Sequence, residues 1–140
     1  MIERTLVILK PTAVERGIVG RIISRIEEKG LRIAGARMIW MDRELAEKQY
    51  AEHRGKQFFE KLMAHITSSP IMLLVVEGEC AIASMRQMAG ATDPLKADAG
   101  SIRGQYAINV TENVIHASDS EDSAKREIEL FFNEEELYSY

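Results

Sequence analysis

The chain has 140 residues, 46% of them apolar and 29% charged, with 18 Lys+Arg against 22 Asp+Glu and a formal net charge of −4. That composition argues against disorder, and the length supports one domain over residues 1–140. The acidic total disfavours a nucleic-acid partner, whose many phosphates must be neutralised, yet it leaves room for a small phosphorylated ligand held by a few well-placed cations.

Thr5–Leu9 is a short β-rich apolar run closed by Lys10-Pro11, the pattern of a buried strand leaving a sheet. Thr12–Glu15 has capping-box spacing and predicts the start of a helical turn. Beyond Gly17, Ile18, Val19, Ile22, Ile23 and Ile26 recur at helical spacing, and Gly30 suits the C-terminal cap. Leu31–Met41 reads as a second strand. Asp42 predicts the cap of a helix reaching about His53, with Gln49 and Tyr50 on one face. Lys56–Thr67 is helical again, and Ser68-Ser69-Pro70 breaks it. Ile71–Val76 is the clearest strand, ended in this reading by Glu77-Gly78. Cys80–Ala89 predicts a short helix presenting Arg86. Residues 90–104 read as a long loop, a length that is uncommon unless it binds something. Asn113–His116 predicts a short strand, and Asp119 or Ser120 caps a last helix through Phe132.

Four strands interleaved with helices point to an α+β chain. A ferredoxin-like βαββαβ sandwich, a four-stranded antiparallel sheet with helices packed on it, fits better than a doubly wound sheet. Cys80 is the only cysteine, which excludes an intrachain disulfide or a thiolate zinc site. The apolar run near Met1 is too short for a signal peptide, and Ile71–Val76 is far below the ~20 residues that span a bilayer. A reduced cytoplasmic protein with no membrane partner is expected. A P-loop, a Gly-x-Gly-x-x-Gly turn and a His-Glu-x-x-His pair are all absent.

Asn113–Ser120 places His116 where an apolar strand ends and a capped helix begins. A neutral imidazole offers a nucleophilic nitrogen, and a helix N-terminus beyond it suits a phosphate. Ser118 and an acid such as Glu127 are candidates to hold the ring in one tautomer. On spacing alone, a core or surface histidine beside a Ser/Asp helix cap is the better reading of the same residues. Lys10, Arg86 and Arg103 stand at element ends or in loops; the arginine fork suits phosphate oxygens, while each cation taken singly reads first as a solvated charge. Tyr50 and Phe58 read first as core and second as a stacking platform. His53 and His65 read as surface residues.

Together these segments resemble the nucleoside diphosphate kinase family from end to end. The resemblance rests on Glu3–Pro11, Arg16–Gly20, Phe58-Phe59, Gly90–Pro94, Gly100–Gly104 and the signature Asn113-x-x-His116-Ala117-Ser118-Asp119. The short stretch after His116 is similar to the bacterial branch. The resemblance implies the ferredoxin-like fold and a reversible ping-pong reaction. His116 takes the γ-phosphoryl group of a nucleoside triphosphate, mainly ATP, and passes it to a nucleoside diphosphate, so that NTP and dNTP pools are maintained. It further implies that Arg86, Thr92 and Arg103 contact phosphates, and that Lys10 and Asn113 reach the ribose hydroxyls and the transferred group. Tyr50 would stand near the γ-phosphate, Phe58 and Val110 would flank the base, and Ser118 and Glu127 would orient the histidine. Mg²⁺ is the implied cofactor, held mainly by phosphates and water, with Asp119 a contact through water and no direct protein ligand. A homo-oligomer is implied, a tetramer ahead of a hexamer. Thr12, Gln57 and Ala117 depart from the family pattern, and a Cβ at Ala117 raises the question of backbone freedom beside the histidine.

Overall fold

Two apolar runs form the centre of a four-stranded antiparallel sheet in the computed structural model, which describes residues 1–140. β1 (Ile2–Leu9) and β3 (Ile71–Glu79) pair from Ile2↔Glu79 to Leu9↔Met72. β2 (Arg32–Ile39) adds to β3, and β4 (Ile115–Ala117) adds to the other edge of β1, giving the order β2-β3-β1-β4. The connecting helices are α1 (Pro11–Glu15), α2 (Val19–Glu28), α3 (Arg43–Gln49), α4 (Phe59–Ile66), α5 (Ala81–Ala89), α6 (Ile102–Tyr106) and α7 (Glu121–Phe131). This is the ferredoxin-like α+β arrangement expected above.

Successive strand residues face opposite sides, so continuous apolar runs require cover on both. Val7, Leu9, Leu74 and Val76 pack with Ile22 and Ile26 of α2 and Met85 of α5. Leu6, Ile8, Leu73 and Val75 pack with Met63 and Ile66 of α4 and Phe131 of α7. All four residues from Leu6 to Leu9 are fully buried, which makes β1 the fixed rail from which Lys10 emerges.

Local signals account for several helix ends. Asp42 caps α3 by accepting from Leu45 N at 2.8 Å. Gly30 takes φ +101°, with Gly30 N donating to Glu27 O and Leu31 N to Ile26 O, the paired bonds of a Schellman end to α2. Ser120 caps α7 through Ser123 N at 3.1 Å.

Some expectations are corrected. Glu77-Gly78 does not end β3. Glu77 lies opposite Arg4 and accepts from its Nε at 2.8 Å, while a Cβ on Gly78 would sit 2.6 Å from Leu31 Cδ2. The polar residue is therefore paired across strands and the glycine makes room for a core leucine. Thr12 forms no capping box, because Lys10 occupies the cap position of α1 and Thr12 Oγ1 lies 3.2 Å from His65 Nε2. The segment 90–104 is not loop throughout, since its last residues enter α6 under the cap of Ser101. The helices expected at Asp42–His53 and Lys56–Thr67 are shorter, at Arg43–Gln49 and Phe59–Ile66, and a 3-10 turn at Ala51–His53 replaces the end of the former.

Candidate active site

β1 and β4 run side by side, with Ile8 opposite His116, so the chain after Leu9 and the chain before Ile115 emerge together. Pro11 opens α1, which sets Lys10 in extended backbone at φ −70° and ψ 167°. Lys10 N donates to Val114 O at 2.8 Å, and Lys10 Nζ donates to Asn113 Oδ1 at 2.9 Å. Burial, then the charge of Arg103, pushes the Lys10 ammonium down to about 7. Val114 takes φ +63°, a left-handed conformation that a β-branched residue rarely adopts. Ile115 N donates to Asn113 O at 2.8 Å, closing a γ-turn around it. That turn sends Asn113 toward Lys10 and returns the chain to β4 in time to present His116.

His116 Nε2 lies 3.0 Å from Glu127 Oε1, reaching from β4 to α7. Ser118 Oγ donates to the same carboxylate oxygen at 2.6 Å and accepts from Leu6 N at 3.2 Å. Burial raises the Glu127 carboxyl, but hydrogen bonding and charge from His116, then hydrogen bonds from Ser118 and Gln49, more than offset it and hold it below the usual carboxylate range. An ionised carboxylate accepts, so Nε2 carries the ring proton and Nδ1 keeps its lone pair. The Tyr50 ring meets the imidazole edge-on at 5.9 Å and 87°. Its hydroxyl is buried without a partner, and burial, then Glu127, push the phenol well above its ordinary value.

Cations stand on the same side. Arg103, from the first turn of α6, is 4% exposed and donates to Gly90 O at 2.7 Å and to Ile115 O at 2.8 Å. Burial, then the charge of Arg86, lowers its guanidinium to about 10. Arg86 of α5 donates to Ala117 O at 3.2 Å and is otherwise open to solvent. Gly90, at φ +88°, has Ser101 where a Cβ would stand, so the start of the 90–104 segment closes tightly onto α6. Asn113 Nδ2 donates to Thr92 O at 3.3 Å and ties that segment to the γ-turn.

One cleft of about 460 Å³ gathers Lys10, Tyr50, Phe58, Arg86, Thr92, Arg103, Val110, Asn113, His116, Asp119 and Glu127. Ser118 lies beneath it, fully buried behind Glu127. Phe58 is 40% exposed and Val110 49%, two apolar faces at the cleft wall. Ala117 sits in ordinary strand pairing with Val7 and outside the left-handed region, so its Cβ imposes no backbone strain beside His116. The end of α7 offers no open anion site: Ser120 fills its cap, and Glu121 and Asp122 occupy the first turn. Most carboxylates after His116 face away from the cleft; Glu127 is the exception and Asp119 stands on its rim.

Sequence reasoning missed His53, which lines the cleft rather than the outer surface. Its ring stacks on Tyr50 at 6.2 Å and meets Phe58 at 5.2 Å, and Lys56 Nζ lies 3.1 Å from its Nδ1. Helical spacing could not show this, because the 3-10 turn before Gly55 folds the ring back. His65 is half-buried against Thr12 rather than a free surface residue. No group of three or more His, Cys, Asp or Glu side chains is arranged to hold a metal ion.

The family model described as "Nucleoside diphosphate kinase" matches residues 3–137. A nucleoside diphosphate kinase of Thermococcus kodakarensis is 61% identical over 142 residues, covering 99% of this chain and 82% of that protein. One of Listeria monocytogenes is 56% identical over 138 residues, covering 99% and 94%. Among solved structures, a halophilic nucleoside diphosphate kinase from Halobacterium salinarum in complex with CDP superposes with a TM-score of 0.97 at 45% identity, covering all of this chain and 93% of that one.

Proposed function

The chain belongs to the nucleoside diphosphate kinase family, and on that premise we propose that its reaction runs through a phosphohistidine at His116. The protein is a phosphotransferase that binds nucleotides and moves a γ-phosphoryl group from a nucleoside triphosphate to a nucleoside diphosphate. The observation that carries the residue assignment is the His116 Nε2–Glu127 Oε1 contact of 3.0 Å in the cleft that Lys10, Arg86 and Arg103 also line. With Nε2 protonated and bonded, Nδ1 is the nitrogen left to attack.

In the first half-reaction, the Nδ1 lone pair forms a bond to the γ-phosphorus. The bond to the β–γ bridging oxygen breaks, and its electron pair leaves with the diphosphate. In the second, a terminal oxygen of the acceptor diphosphate attacks the same phosphorus and returns the pair to Nδ1. Positive charge gathers on the ring in between, and Glu127 stabilises it through Nε2–H. Phosphoryl transfer demands placement and charge neutralisation more than covalent help, which assigns Arg86, Arg103 and Lys10 to the phosphate oxygens. Thr92 joins them there. Asn113 and Lys10 reach the ribose hydroxyls and the transferred group, and Tyr50 stands beside it. Stacking between Phe58 and Val110 accepts any base, consistent with ATP as main donor and mixed acceptors.

Nucleotide kinases of this family use a divalent cation, which we take to be Mg²⁺. The donor set fits an ion held mainly by phosphates and water. Glu127 is committed to His116 and Ser118, and Asp119 is a carboxylate on the rim, held below the usual carboxylate range by hydrogen bonds from Ser123 and Ser120. Bound there, the cation would neutralise charge on the β- and γ-oxygens.

No helix is long and apolar enough to cross a membrane, and we place the protein in the cytoplasm as a single domain over residues 1–140. A homo-oligomer, a tetramer before a hexamer, is supported by the edge position of β2, where Met38 and the neighbouring Trp40 are more than half exposed. Size-exclusion mass tests it. The activity test is transfer of labelled phosphate from ATP to GDP or CDP with Mg²⁺ through an acid-labile, base-stable phosphoprotein. An acid-stable phosphoprotein, or none, would contradict the assignment.

A further inference from the structure

The His116–Glu127 pair has a third neighbour. Gln49, the last residue of α3, is 1% exposed, and its Nε2 lies 3.3 Å from His116 Nε2. The same ring nitrogen faces Glu127 Oε1 at 3.0 Å. With the imidazole N–H committed to that carboxylate, the amide N–H groups have the same acceptor within reach, and Gln49 is among the groups that keep Glu127 ionised. Its Oε1 is buried with no hydrogen-bond partner. An apolar side chain of the same shape would avoid that cost, so packing alone does not account for an amide at this position.

We propose that Gln49 is a positioning residue for His116: its amide braces the Nε2–H···Glu127 pair from the α3 side, so that the ring stays in one tautomer with Nδ1 free. Ser118 braces the same carboxylate from beneath, at 2.6 Å. The pair is thus held from two elements, α3 and the chain after β4, while α7 supplies the carboxylate. The inference rests on His116 being the nucleophile.

Gln49→Met keeps the volume and removes the amide. Its melting temperature should equal or exceed that of the unaltered protein, because a buried unpaired oxygen disappears. Its kcat should fall roughly 10–100-fold, the factor carried by one hydrogen bond to a charged group, while KM for the acceptor stays within about twofold. Imidazole ¹⁵N spectra should show one Nε2-protonated form of His116 in the unaltered protein and a mixture of tautomers in the variant. Gln49→Leu, which loses the same amide in a different shape, should show the same split. An unchanged kcat with an unchanged tautomer overturns the proposal. So does a loss of melting temperature and kcat together with the tautomer intact, which would mark Gln49 as structural only. Phosphate still mapping to His116 in the Gln49 variants keeps a failure here distinct from a failure of the nucleophile assignment.

Discussion

Lys10 Nζ donates to Asn113 Oδ1 at 2.9 Å, joining the residue after β1 to the residue that opens the γ-turn before His116. The ammonium is buried, and burial with the Arg103 charge brings it from 10.5 down to about 7. A lysine lowered in the folded state contributes stability that is present above 10.5 and lost as pH falls through about 7. The melting temperature of the ligand-free protein should therefore rise between those values, and Lys10→Met should flatten that rise. A phosphate placed beside Lys10 should restore its proton, so nucleotide binding at a pH above 7 should take up a proton in calorimetry across buffers, and Lys10→Met should abolish the uptake.

Glu127→Gln keeps the shape but removes the charge that accepts from Nε2. The phosphorylation step should slow about a hundredfold or more, in the range of a lost acid–base or orienting partner, as followed by rapid-quench labelling. Nucleotide affinity should change little. A rate within a few-fold of the unaltered protein would show that the carboxylate does not orient the ring.

Arg86 and Arg103 should part company. Each alanine substitution should lower turnover by roughly 10²–10³, as for removal of one preorganised charge-stabilising donor. Arg103→Ala also frees the carbonyls of Gly90 and Ile115, so its melting temperature should drop as well, while Arg86→Ala should melt near the unaltered protein. Thermal scans beside initial rates separate the two.

Phe58→Ala should weaken all nucleotides by similar factors, about 1–3 kcal/mol for one lost stacking face, with kcat largely retained. Titrations with purine and pyrimidine diphosphates check it. A loss confined to one base would mean that Phe58 reads identity.

The sheet was legible because β1 and β3 are apolar on both faces, and the site was legible because its residues fall in contiguous motifs. Polar residues inside elements were harder to read. Glu77 belongs in β3 only because Arg4 lies across from it, and Gly78 only because Leu31 needs the space. Gln49 and His53 carried no motif. Their placement depends on the end of α3 and the 3-10 turn that follows, which bring them beside His116 and Phe58. The contact of Thr12 with His65 spans 53 positions and leaves no periodic trace. Nor does the strap formed by the C-terminal residues, where Tyr138 N donates to Ala34 O at 2.8 Å and Leu137 covers Gly35.

The most direct test is to incubate the protein with ATP and Mg²⁺, then identify the phosphorylated atom by ³¹P and ¹⁵N spectroscopy and by fragment mass. The expected result is one phosphoryl group on Nδ1 of His116, discharged on addition of GDP. A phosphoryl group on Nε2, on Ser118 or on His53, or a His116→Ala protein that still turns over, would contradict the account.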